Sequence, residues 1–181
     1  MVINVMNFLS KVFVLILLFS SSLAYACGDN PNAMVQGPFK DFAINEGYIC
    51  FQGTTDKRNI EFYQSYKVGN TRYNNLIDTF YYSDAPVELM TVFFKNIHAK
   101  RNVVILLRWN VNYETGGTKY NYYYEIKTYQ LQGEGTYSEY LDAEKDPYLS
   151  GYQTSKNGLI TKFKLDNSSK IKKYFNEHYD K

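Results

Sequence analysis

The sequence predicts a mainly β fold of the α+β class: an antiparallel sheet of about six to seven strands with a C-terminal amphipathic helix packed on it. Three observations carry this. From residue 60 to residue 131 the dominant hydrophobic period is two, the period of side chains that alternate across a sheet. Turn-forming clusters separate these runs. Only the tail, "DNSSKIKKYFNEHYDK", sets its apolar residues Ile171, Tyr174, Phe175 and Tyr179 at helical spacing behind Asp and Ser caps.

In chain order, the opening "MVINVMNFLSKVFVLILLFSSSLAYACGDN" places Lys11 before an apolar run, Val12 to Phe19, and ends a small-residue stretch in Ala24-Tyr25-Ala26. This is the pattern of an export signal with a small-x-small cleavage site. Residues 1–26 are therefore expected to be a signal peptide, residues 27–181 a single β-rich domain, and the compartment the periplasm. The uninterrupted apolar run Val12 to Phe19, eight residues long, is short of the roughly 20 needed to span a bilayer, so no stable membrane span is expected after cleavage. A lipid anchor on Cys27 is the weaker alternative, because Ala24 stands where a lipoprotein signal wants leucine and a bulky Tyr25 follows. The two cysteines, Cys27 and Cys50, are expected to pair in an oxidising compartment. That bond would close a loop of about 24 residues and stabilise by roughly 3 kcal/mol.

The arm "CGDNPNAMVQGPFKDF" has no period and reads as extended loop. In "NIEFYQSYKV" Ile60, Phe62, Tyr66 and Val68 share one face and Glu61, Ser65 and Lys67 the other, the pattern of a half-buried strand. "RYNNLIDTFYYSD" repeats it less cleanly. "PVELMTVFFKNI" also fits a helical stripe through Leu89, Val92, Phe93 and Ile97, but its β-branched and aromatic content and the following turn "HAKRN" favour a hairpin strand. In "NVVILLRWNVNY" alternation is unbroken from Val103 through Ile105, Leu107, Trp109 and Val111 to Tyr113. "ETGGTK" is a turn, Gly116 and Gly117 supplying positive φ, so the next strand, "KYNYYYEIKTYQ", is expected to run antiparallel beside it. There Tyr122, Tyr124 and Ile126 are expected to face the core shared with Trp109. The stretch "GEGTYSEYLDAEKDPYLSGYQTSKNG" reads as a covering or functional loop, and "LITKFKL" as a last short strand.

Charge excludes one class of partner. With 20 Lys and Arg against 18 Asp and Glu, nothing resembles the basic stripe that phosphate neutralisation demands, so no nucleic acid is expected. His98 and His178 stand alone and no cysteine pair has zinc spacing, so no metal and no other cofactor is expected. No nucleophile elbow or phosphate loop is present. Glu134, Glu139, Asp142, Glu144 and Asp146 crowd one loop; a glycosidase pair or a calcium site would need such carboxylates, but a solvated acidic loop is the reading preferred. No catalytic residue is expected. The 19 tyrosines exceed what one domain can bury with its hydroxyls satisfied, and exposed tyrosine is what protein-binding faces are enriched in. The candidate partner-binding residues are Tyr123, Tyr129, Tyr137, Glu139, Tyr140 and Asp142.

The run "VFFKNIHAKRNVVILLRWNVNY" into "YYYEIKTYQ", with the closing "FKLDNSSKIKKYF", resembles small exported proteins of Gram-negative bacteria, among them periplasmic immunity proteins of interbacterial competition systems. The likeness covers roughly residues 85–131 and 158–176 and lies in strand-and-turn texture. It implies a protein that binds and neutralises a cognate protein toxin. An envelope- or glycan-binding module with surface tyrosines is the alternative. The oligomeric state is not expressed in the sequence.

Overall fold

Alternating apolar residues make strands here because each strand has a core to face. In the computed structural model, which describes residues 27–180, eleven strands form two antiparallel sheets. The predicted signal peptide lies outside the described residues. The first sheet is a meander of β1 (Met34–Asp41), β2 (Gly47–Gly53), β3 (Ile60–Val68) and β4 (Thr71–Phe80). The second is seven-stranded. Its path is β11 (Leu159–Thr161), β10 (Ser150–Lys156), β8 (Thr118–Leu131), β6 (Lys100–Trp109) and β5 (Val87–Ile97), with β7 (Tyr113–Thr115) and β9 (Tyr137–Glu139) also paired to β8. Two helices lie C-terminal to β9: a single turn, α1 (Leu141–Glu144), and α2 (Ser168–His178), capped by the Asn167 side chain accepting from Lys170 N–H at 3.1 Å.

The layers follow from which residues are buried together. Ile49 and Phe51 of β2, Phe62 of β3 and Phe80 of β4 meet Val103, Ile105, Leu107 and Trp109 of β6 between the two sheets. On the opposite face of the large sheet, Val104, Leu106, Tyr124 and Ile126 meet Phe163, Leu165, Ile171 and Phe175 beneath α2. The large sheet is thus the middle layer, buried on both sides, as the near-continuous run Val103–Leu107 of β6 requires. Cys27 and Cys50 form a disulfide, both fully buried, with Cα atoms 6.1 Å apart. It ties the chain ahead of β1 to β2.

Burial on both faces corrects the expected orientation of the tyrosine strand. Residues directly opposite in an antiparallel pair share a face, and Trp109 is opposite Tyr123, Leu107 opposite Glu125, and Val103 opposite Tyr129. Tyr123 and Tyr129 therefore share the Trp109 side, while Tyr124 and Ile126 point to α2. Alternation alone places residues on two faces without saying which face meets which layer.

Three segments read as loop are strands. The N-terminal arm is β1, whose pairing with β2 shifts register on both sides of Gln36 around a cis Gly37-Pro38 bond; the irregularity erases any period, and proline is tolerated because β1 is an edge. β9 and β10, within the long acidic and serine-rich stretch, are held by pairing with β8 rather than by apolar alternation. Conversely only Leu159–Thr161 of the expected last strand is a strand, and Phe163 and Leu165 leave it to fill the α2 side.

The β5–β6 hairpin turns through His98 and Ala99 at φ +48° and +59°, two left-handed residues as a type I′ turn requires. Alanine is strained there, so Ala99→Gly is expected to stabilise the protein by roughly 0.5–1 kcal/mol. Thermal melts of the two proteins check this.

Candidate functional site

The candidate site is the far end of the large sheet, where neither cover reaches. β6 stops at Trp109, and the chain steps through Asn110–Asn112, with Asn112 at φ +41°, into the short β7. β7 then folds back on β8 around Gly116 and Gly117, which sets Tyr113 directly opposite Tyr120. Their rings stack 4.7 Å apart and within 3° of parallel. Tyr152 of β10, opposite Tyr123, stands edge-on to Tyr120 at 5.2 Å and contacts Tyr123 at 4.9 Å. Tyr123 in turn lies 5.8 Å from Trp109, whose indole N–H donates to the Tyr81 carbonyl at 3.1 Å. The result is a continuous shelf of five rings in series. Tyr113 at 41% and Tyr152 at 42% are open to solvent, whereas Trp109, at 7%, ends the series inside the core between the sheets. Burial pushes the Tyr123 phenol above its ordinary value, so at neutral pH it stays a hydrogen-bond donor.

At Trp109 the shelf runs into a cleft of about 370 Å³ between the sheets, lined by Asp78, Tyr81, Glu125, Lys127 and Glu139. Lys127 Nζ donates to Glu139 at 2.7 Å and lies 3.5 Å from Glu125. Burial would lower the Lys127 pKa, but the Glu139 bond and both carboxylates outweigh it and raise it. Three carboxylates against one ammonium leave the cleft negative.

The six residues singled out from sequence are not brought together. Tyr123 sits on the shelf and Glu139 in the cleft. Tyr129 and Tyr137 are corrections: they are core residues, 1% and 4% exposed, and present no ring to a partner. Their hydroxyls donate to carboxylates, Tyr129 to the half-buried Asp78 and Tyr137 to the buried Asp41, each at 2.5 Å, which is how a tyrosine-rich core keeps its phenols satisfied. Tyr140 packs against Tyr179 at 6.1 Å on the α2 side, where Asp142 is also found, exposed on α1. The shelf residues Tyr113, Tyr120 and Tyr152 were not singled out. A signal for the first two existed, since they flank the Gly116-Gly117 turn symmetrically; Tyr152 had none, lying in a segment without period.

Among the described residues no group of His, Cys, Asp and Glu is arranged to hold a metal ion, and no helix is long and apolar enough to cross a membrane. Comparison of the chain with protein-family models, with curated proteins and with solved structures gives no match.

Proposed function

We propose that this is an exported binding protein of the immunity type, one that occludes a cognate protein toxin in the periplasm without catalysing a reaction. The observation that carries the reading is the shelf of five rings. Tyrosine and tryptophan dominate the energetics of protein interfaces because they bury large area with few rotatable bonds. Here strand pairing and ring contacts hold them in place before any partner arrives, which lowers the ordering cost of binding. The negative cleft beside the shelf suits a partner with a basic rim, since opposed potentials speed encounter and fix orientation. The buried Cys27–Cys50 bond accords with export to an oxidising compartment.

The test is genetic and biochemical. Deleting the gene should be harmful only when an exported toxin encoded beside it is produced, and the purified mature protein should bind that toxin and suppress its activity. A deletion that is equally harmful without the toxin would contradict the reading. The parallel Tyr113–Tyr120 pair is also a flat platform on which a sugar ring could stack, and this favours the envelope- or glycan-binding module as the second reading. Retention of the protein on peptidoglycan, lost in Tyr113→Ala, would put that reading first.

A further inference from the structure

The far end of the large sheet has a second uncovered face, and its chemistry differs from that of the shelf. Across β8 and β10, Gln153 is opposite Tyr122 and Thr154 opposite Tyr120, so Asn121 is an extra residue in β8. Such a bulge re-aims the side chains around it. Tyr120 joins Tyr152 on the shelf, whereas Asn121 and Tyr122 line the opposite face. There Asn110, Asn112, Asn121 and Gln153 converge on an open concavity of about 440 Å³, within the roughly 300–1,000 Å³ of small-ligand sites. Lys119 and Ser155 complete its polar lining. The Asn112 N–H donates to the Asn121 carbonyl at 3.4 Å, a long bond that ties the β6–β7 connection to the bulge. Among the described residues, no side-chain hydrogen bond engages any of the four carboxamides.

Each carboxamide both donates and accepts. A site built from four of them matches a ligand dense in hydroxyl groups, each of which also does both. An apolar ligand would leave the amides unpaired at a cost in affinity. A phosphate or sulfate would want more positive charge than Lys119 alone supplies. The Tyr122 ring also lines the concavity; the Arg108 guanidinium lies over one of its faces, 4.6 Å from the ring centre, so the C–H face of a pyranose would lie against the other. We infer that this concavity binds an uncharged saccharide of one or two sugar units. The site is separate from the shelf and rests on neither reading of it.

The test is amide NMR of the mature protein titrated with N,N′-diacetylchitobiose and with maltose at tens of millimolar. At least one sugar should shift the side-chain amide signals of Asn121 and Gln153. Gln153→Ala and Asn121→Ala should each weaken that binding roughly tenfold with little change in melting temperature. Gln153→Ala keeps the bulge residue, so it remains informative if Asn121→Ala alters the strand. Tyr113→Ala and Tyr152→Ala should leave sugar binding unchanged. The inference is overturned if neither sugar perturbs these amides, if binding survives Gln153→Ala at full strength, or if it is lost in Tyr113→Ala, which would move the sugar to the shelf.

Discussion

Asp41→Ala is expected to destabilise the protein by about 2–4 kcal/mol, because it removes a fully buried carboxylate from a half-buried ion pair and leaves its hydrogen-bond donors unpaired. Asp41 ends β1 and is fully buried. Its carboxylate faces the Arg101 guanidinium of β6 at 3.2 Å, accepts from the Tyr137 hydroxyl at 2.5 Å and accepts from the Ala43 backbone N–H at 3.1 Å. One side chain therefore ties the small sheet, the large sheet and β9 together. Alanine would strand a guanidinium that lies 4.0 Å over the Phe94 ring, along with a phenol and an N–H. Urea unfolding decides the matter: a loss near 1 kcal/mol or less would mean that water fully replaces the carboxylate at the partly exposed Arg101 and that the tie between the sheets is not made here.

Raising the pH is expected to unfold the protein well before general alkaline damage. Burial, and then hydrogen bonds to Asp78 and Asp41, push the Tyr129 and Tyr137 phenols far above their ordinary value. In the unfolded chain the same phenols ionise near pH 10. A group whose pKa is raised on folding contributes stability that is complete below its unfolded pKa and lost as pH rises beyond it. If both phenols stay protonated in the fold to about pH 12, each costs on the order of 2–3 kcal/mol of stability by that pH. Tyr174 and Tyr179, both bonded to Asp146, shift in the same direction. Stability measured from pH 8 to pH 12 should fall steeply above about pH 10, and Tyr129→Phe and Tyr137→Phe should each flatten the fall although they begin less stable. Parallel pH profiles for wild type and both variants would contradict this origin.

The strands that were legible in the sequence are those whose burial is written as alternation. β3, β5 and β6 and the Gly116-Gly117 turn fall where period and turn chemistry put them, and the tail declares a capped amphipathic helix, although the cap is Asn167 rather than the neighbouring Asp or Ser. What was not legible is the layer structure. Ile60 and Phe62 demand a core, but nothing local says that the core is shared with a second sheet, so one sheet was expected where two are stacked. β10 could not be found from "SGYQTSK", because its residues are polar and half-buried and it exists through β8. The site was partly legible for the same reason. A surplus of tyrosine announces exposed rings, yet which tyrosines are exposed depends on the bulge at Asn121 and on the acceptors Asp78 and Asp41, distant in sequence from the phenols they satisfy. Tyr129 and Tyr137 read as surface residues in the sequence because their partners lie 51 and 96 positions away.

The shelf of rings is the face proposed to bind the partner. The most direct measurement is the dissociation constant for the proposed toxin partner of the double variant Tyr113→Ala/Tyr152→Ala beside that of wild type, with thermal melts of both. The two positions are exposed strand residues, so the melting temperature should stay near wild type while binding weakens by about 2 kcal/mol or more, the mark of hot-spot residues. Unchanged affinity in this variant, with binding lost instead in Tyr140→Ala/Asp142→Ala, would place the partner on the α2 side and contradict the claim.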